Sequence, residues 1–188
     1  LKELGVEITV EECEQTMGLR IDALVAHWYA KHRWEGPGIE ETASTIVGRV
    51  ASHVMLSGVA KEGVLAALKI IADQGLAIGL ATSSPMALVN AVLARLEIGH
   101  YFSICHSAEF EEYGKPHPAV YLQTAVQMGF HPKECIAIED SFNGLLAAKA
   151  ATMKTIVIPE AFQANNPHFS IADIRLSSLS ELTVEHLM

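Results

Sequence analysis

The sequence predicts an α/β chain: a doubly wound parallel sheet preceded by a small helical subdomain. Three observations carry this. Leu76-Ala77-Ile78-Gly79-Leu80-Ala81, Ile136-Ala137-Ile138 and Thr155-Ile156-Val157-Ile158 are short runs with the uniform apolarity of strands buried on both faces. Helical patterns separate them, as the crossovers of a parallel sheet require. From Leu1 to about Leu56 apolar residues recur three or four apart, and no strand-like run interrupts them. The expected boundaries are 1–57 for the helical subdomain and 58–188 for the α/β core.

Within the first part, helices are expected around Val10 to Cys13, from Arg20 through Trp28-Tyr29, and after Pro37 to Leu56, with Gly36-Pro37-Gly38 as the break. Trp28, Tyr29 and Trp34 suit the core of such a bundle or the wall of a cleft. Ala60 to Gln74 reads as a helix closed by Gly75. Helices are expected at 85–96, 118–128 and 142–151, and a weak strand at 102–106. The tail from Ala161 reads as a loop, a short strand at 174–176 and a final helix.

Composition narrows the function. The chain has 188 residues, 50% hydrophobic, with 22 acidic against 13 Lys and Arg and a formal charge of −9. Such a chain is a poor partner for nucleic acid or an anionic membrane, so a phosphorylated ligand must be met by a few local donors. Three widely spaced cysteines without a CxxC motif suit reduced thiols in the cytoplasm, and the nine histidines show no metal-ligand spacing. The expectation is a monomer with neither a nucleic-acid nor a membrane partner.

In open parallel sheets ligands bind beyond the carboxyl ends of the strands. Thr82-Ser83-Ser84-Pro85 follows the first apolar run, and hydroxyls and free amides ahead of a helix suit an anion. Capping by Ser84, with Pro85 at the first helical position, explains the same residues. Glu139-Asp140 ends the second run. Adjacent carboxylates there repel unless a cation or donor meets them, and Mg²⁺ suits one or two carboxylates with waters and phosphate. Helix capping by Asp140 or Ser141 competes with that reading. Lys115, in Gly114-Lys115-Pro116-His117-Pro118, sits on a segment stiffened by two prolines and can serve phosphate as a point charge, or simply be a solvated lysine. Together, the three groups on one sheet edge make up the inventory of a magnesium-dependent phosphoryl-transfer site.

Leu80-Ala81-Thr82-Ser83-Ser84, Lys115-Pro116-His117-Pro118 and Ile138-Glu139-Asp140-Ser141-Phe142-Asn143-Gly144 resemble the second, third and fourth motifs of the haloacid dehalogenase superfamily, in the order and spacing of its sugar-phosphatase and β-phosphoglucomutase branch. Met17-Gly18-Leu19-Arg20-Ile21-Asp22 and Trp28-Tyr29-Ala30-Lys31 are similar to the cap of bacterial 2-deoxyglucose-6-phosphate (hexitol phosphate) phosphatases. The resemblance implies a Rossmann-like core with a helical cap. It implies that Thr82 with Ser83, and Ser84 beside them, binds the phosphoryl group, that Lys115 balances its charge, that Glu139 and Asp140 hold Mg²⁺, and that Arg20 meets the sugar or a distal phosphate.

The superfamily's first motif, Asp-x-Asp-Gly, supplies an aspartate nucleophile and a general acid/base. It does not occur in the sequence. The expectation is therefore that the intact protein carries roughly 30 further N-terminal residues, whose strand lies between those ending at Thr82 and Glu139. Direct pairing of those two strands would refute this. The function implied is hydrolysis of small sugar phosphates through an aspartyl-phosphate. The alternatives are a β-phosphoglucomutase-like sugar phosphomutase, or a Mg²⁺- and phosphate-binding protein without turnover. A mutase needs a second phosphate grip, for which Arg20 alone is placed, and this favours hydrolysis.

Overall fold

A computed structural model describes residues 1–14 and 16–188. A 3₁₀ turn at Lys2–Leu4 and a short helix α1 (Val10–Glu14) lead into α2 (Ile21–His32) and α3 (Ile39–Ser57). Val6, Val25, Trp28, Trp34 and Ala43 form one buried cluster among them. The Trp34 Nε1–H donates to the Pro37 carbonyl (3.1 Å), which fixes the turn at Gly36-Pro37-Gly38. α3 then packs along α5 (Met86–Leu96).

From Gly58 the chain alternates. α4 (Val64–Asp73), β1 (Ile78–Thr82), α5, β2 (Phe102–Ser107), α6 (Ala119–Met128), β3 (Ile136–Glu139), α7 (Phe142–Ala150), β4 (Lys154–Val157) and β5 (Ile174–Arg175) follow in order. All pairings are parallel. β1 pairs with β2, bringing Thr82 opposite Ser107, and β3 pairs with β4, bringing Glu139 opposite Val157. β5 adds to the far side of β4. The strands form two sheets, β1-β2 and β3-β4-β5, and β1 does not pair with β3 among the described residues. The two are joined instead by packing. α6 lies on β1 and β2, α7 on β3 and β4, and Val120, Tyr121, Ala125, Ala137, Ala147 and Ala148 share one buried cluster. Alanines dominate because two helices must approach both each other and the sheets closely. A second cluster, with Ala67, Ile156, Leu176 and Leu182, covers the opposite face of β3-β4-β5.

The strands begin or end one or two residues away from the apolar runs, and two elements differ more. α4 starts at Val64 rather than Ala60, because Gly63 takes φ +83° with its α-carbon against the backbone of Leu179 and Ser180, where a side chain has no room. The expected final helix is a pair of 3₁₀ turns, Leu179–Glu181 and Val184–Leu187, restarted by caps at Ser178 and Thr183. Four residues are too few to sustain an α-helix. Among the described residues no helix is long and apolar enough to cross a membrane.

The edge strand is secured by Asp173. Its carboxylate accepts from the Thr155 N–H (2.7 Å), the Thr155 hydroxyl (2.8 Å) and the Lys149 ammonium (3.0 Å). Hydrogen bonds from Lys149 and Thr155 lower its pKa from 3.8 to about 2. A carboxylate depressed in the folded state adds stability above its unfolded pKa and loses it as the pH falls through the folded value. Asp173→Asn should therefore cost about 1–2 kcal/mol at pH 7 in urea unfolding. The gap to the parent protein should close between about pH 4 and pH 2.

Candidate active site

The parallel register places Thr82, Ser107, Glu139 and Val157 at one edge. Beyond Thr82 the chain turns, and the Thr82 hydroxyl accepts from the Ser84 N–H (3.0 Å). Ser84 offers its carbonyl to the Ser107 hydroxyl (2.7 Å), and the Ser83 hydroxyl donates to the Gly18 carbonyl (2.9 Å). The Ser83 N–H and the hydroxyl hydrogens of Thr82 and Ser84 are left as the donors of this loop. The helix end differs from the sequence expectation. Pro85, not Ser84, is the N-cap of α5, and the Met86 N–H donates to Glu109 Oε1 (2.9 Å). An anion from the protein itself thus occupies the terminus that the sequence offers to phosphate.

Lys115 lies between the two sheets and is buried. Its ammonium reaches the Ala81 carbonyl of β1 (3.3 Å), the Tyr121 hydroxyl (3.3 Å) and, in a short ion pair, Glu139 of β3. It is not a solvated lysine. Both Glu139 oxygens are occupied. Oε1 accepts from Lys115 and Tyr121, and Oε2 from the Asp140 N–H (3.3 Å), the Ser141 N–H (3.3 Å) and the Ser141 hydroxyl (3.1 Å). Burial alone would raise the Glu139 pKa, but the Lys115 charge and these hydrogen bonds hold it below the ordinary value. Burial and the Glu139 charge push the Tyr121 phenol up, so it remains a donor. Gly144 permits the arrangement: a β-carbon there would fall on the Glu139 carboxyl group.

The paired carboxylates therefore differ in their surroundings. Glu139 is buried and spoken for, while Asp140 is exposed at the tip of β3. Loss of hydration around the Asp140 carboxyl and the neighbouring Glu139 charge raise its pKa. Ser141, not Asp140, caps α7, its hydroxyl accepting from the Gly144 N–H (3.0 Å). No group of three or more His, Cys, Asp or Glu side chains is gathered for a metal among the described residues. One free carboxylate fits a Mg²⁺ that keeps waters and takes phosphate oxygens, and does not fit an all-protein cage.

Arg20 is brought to the same edge but is already engaged. Its Nε and Nη2 clamp Asp22 (both 2.7 Å), and Nη1 donates to the carbonyls of Ala108 (3.0 Å) and Glu111 (2.7 Å). Arg20, Asp22 and Glu111, with Ser83 and Glu109, border a cavity of about 290 Å³. Asn143 Nδ2 donates to the Met17 carbonyl (3.0 Å) nearby. Sequence reasoning missed Tyr121, Asp22, Glu109 and Glu111. Asp22, two residues after Arg20, and Glu109, two after the capping Ser107, carried a local signal; Tyr121 carried none.

A profile of the haloacid dehalogenase-like hydrolases matches residues 2–152. Hexitol phosphatase B of Escherichia coli (strain K12) is 42% identical over 186 residues, 98% of this chain and 84% of its own length. Two solved structures share the fold: CbbY from Rhodobacter sphaeroides in complex with phosphate (TM-score 0.86, 23% identity, 99% of this chain and 87% of that one) and β-phosphoglucomutase from Clostridium difficile (TM-score 0.81, 21% identity, 99% and 83%).

The buried pair makes a stability prediction. Lys115→Met and Glu139→Gln should each cost about 3–5 kcal/mol, because each strands the other partner. The double variant should cost less than their sum by about 1–3 kcal/mol in denaturant unfolding.

Proposed function

The chain belongs to the haloacid dehalogenase-like hydrolases, and from that premise we propose that it is a magnesium-dependent phosphatase of small sugar phosphates of the hexose or hexitol 6-phosphate type. The observation that carries this is the position of Lys115. Its ammonium touches the residue before Thr82 on one sheet and the residue before Asp140 on the other. Hydroxyl and amide donors, a fixed cation and a free carboxylate thereby share one small region, which is what neutralising a transferring phosphoryl group demands.

In this reading the Thr82 hydroxyl and the Ser83 N–H take phosphoryl oxygens, with Ser84 shaping the loop through its bond to Thr82. Lys115 balances the charge. Asp140 is the direct ligand of Mg²⁺, and Glu139 acts behind it by holding Lys115 in place. Mg²⁺, when bound, supplies further charge neutralisation at the phosphoryl oxygens. The nucleophile is an aspartate from outside these 188 residues, on a strand lying between β1 and β3. That these strands belong to separate sheets supports this placement. The helices before Gly58 act as the cap over the cleft. Three free cysteines accord with a reducing compartment such as the cytoplasm.

The test is phosphate release by the full-length protein from a panel of hexose and hexitol phosphates, with Mg²⁺ or with chelator. Hydrolysis should require Mg²⁺, and Asp140→Asn should lower kcat by about 100-fold or more. Equal rates in chelator, or unchanged turnover in the variant, would overturn the assignment.

A further inference from the structure

The Lys115 ammonium has three hydrogens and three acceptors inside the protein: the Ala81 carbonyl (3.3 Å), the Tyr121 hydroxyl (3.3 Å) and the Glu139 carboxylate. With every hydrogen placed, Lys115 acts on a phosphoryl group as a charge at a set distance and not as a hydrogen-bond donor. Such a charge acts through space, so its effect depends on where its holders put it. Two of the holders belong to strands that end at the site, Ala81 in β1 and Glu139 in β3, and the other comes from α6.

Tyr121 does not need its hydroxyl for packing. Its ring lies in the alanine-rich buried cluster, where a phenyl ring fits as well. The hydroxyl enters the most withdrawn ion pair among the described residues, 7% exposed on each side. There it accepts from the Lys115 ammonium and donates to Glu139 Oε1, the same oxygen that takes the ammonium. It thus acts twice on one charge. It gives the ammonium an acceptor other than the carboxylate, and it shares the oxygen that otherwise draws the ammonium in. The ammonium also stands 4.8 Å from the ring centroid, a contact that phenylalanine would keep. Lys115 and Tyr121 are mounted on one short stretch of tied backbone. The His117 N–H donates to the Gly114 carbonyl (3.0 Å) and the Tyr121 N–H to the Pro118 carbonyl (3.0 Å). We infer that Tyr121 is a positioning residue of the phosphoryl-transfer site: its hydroxyl stops the Lys115 ammonium from collapsing onto Glu139 and keeps its charge on the Thr82 side. This rests on the phosphatase reading above and deepens it.

Two variants of the full-length protein separate the hydroxyl from the ring, Tyr121→Phe and Tyr121→Leu. The readouts are the dissociation constant of inorganic phosphate by calorimetry with Mg²⁺ present, kcat on a hexitol 6-phosphate, and the midpoint of urea unfolding. Tyr121→Phe should weaken phosphate binding by about tenfold and lower kcat by about tenfold. Tyr121→Leu should weaken phosphate to a similar extent and unfold at lower urea than Tyr121→Phe, because it also leaves a cavity. A dissociation constant does not depend on the fraction correctly folded, so a purely structural role would leave it unmoved. Phosphate affinity in Tyr121→Phe equal to or tighter than the parent's overturns the inference while leaving the phosphatase reading intact. A Tyr121→Phe protein that does not fold overturns it equally, since the hydroxyl then serves the fold. A parent that leaves every hexose and hexitol phosphate intact overturns that reading itself, and the inference with it.

Discussion

A buried ammonium and a buried carboxylate, Lys115 and Glu139, hold together the sheet edge that carries the candidate site. Ions in a protein interior are costly unless every lone pair and proton finds a partner. Here Glu139 receives five donors, and Lys115 adds a carbonyl of β1 and a tyrosine hydroxyl to its carboxylate. Because those partners come from both sheets and from α6, the pair can be satisfied only when these elements are in register. The electrostatics of the site and the assembly of the α/β core are thus one problem with one solution.

The link between the N-terminal helices and the core is built from the same loops. Met17, Gly18 and Arg20 contact Asn143, Ser83 and the 108–111 turn respectively. Those contacts follow three different strands: Ser83 after β1, the 108–111 turn after β2, and Asn143, in the first turn of α7, after β3. The segment entering α2 is consequently tied to the chain beyond β1, β2 and β3, and any tilt of α2 and α3 must be transmitted to at least one of these places. Arg20, largely withdrawn from solvent and clamped by Asp22, serves as fastener and cavity wall together.

Much of this was legible in the sequence, for a definite reason. Strand ends in a parallel sheet collect on one edge, so Thr82, Lys115 and Asp140 could be grouped from apolar runs and turn residues alone. What the sequence concealed was competition for partners. The hydroxyls of Ser83 and Ser107 and the carboxylate of Glu109 are consumed inside the protein, and nothing in their spacing distinguishes a donor kept for a ligand from one spent on a neighbouring loop. Tyr121 was hidden because its direction depends on the rotation of α6 against β1 and β2, a tertiary quantity. Glu139 looked like a twin of Asp140, and only burial separates them.

The absent β-carbon at Gly144 has an evolutionary consequence. Since any larger residue there would collide with the Glu139 carboxyl group, the two positions are not free to drift independently. A lineage could enlarge position 144 only after shortening or withdrawing the side chain at 139, and Lys115 and Tyr121 would then have to find new company. Substitutions at these four sites should show strong epistasis, with the order of their acquisition constrained, so that they are inherited as a block.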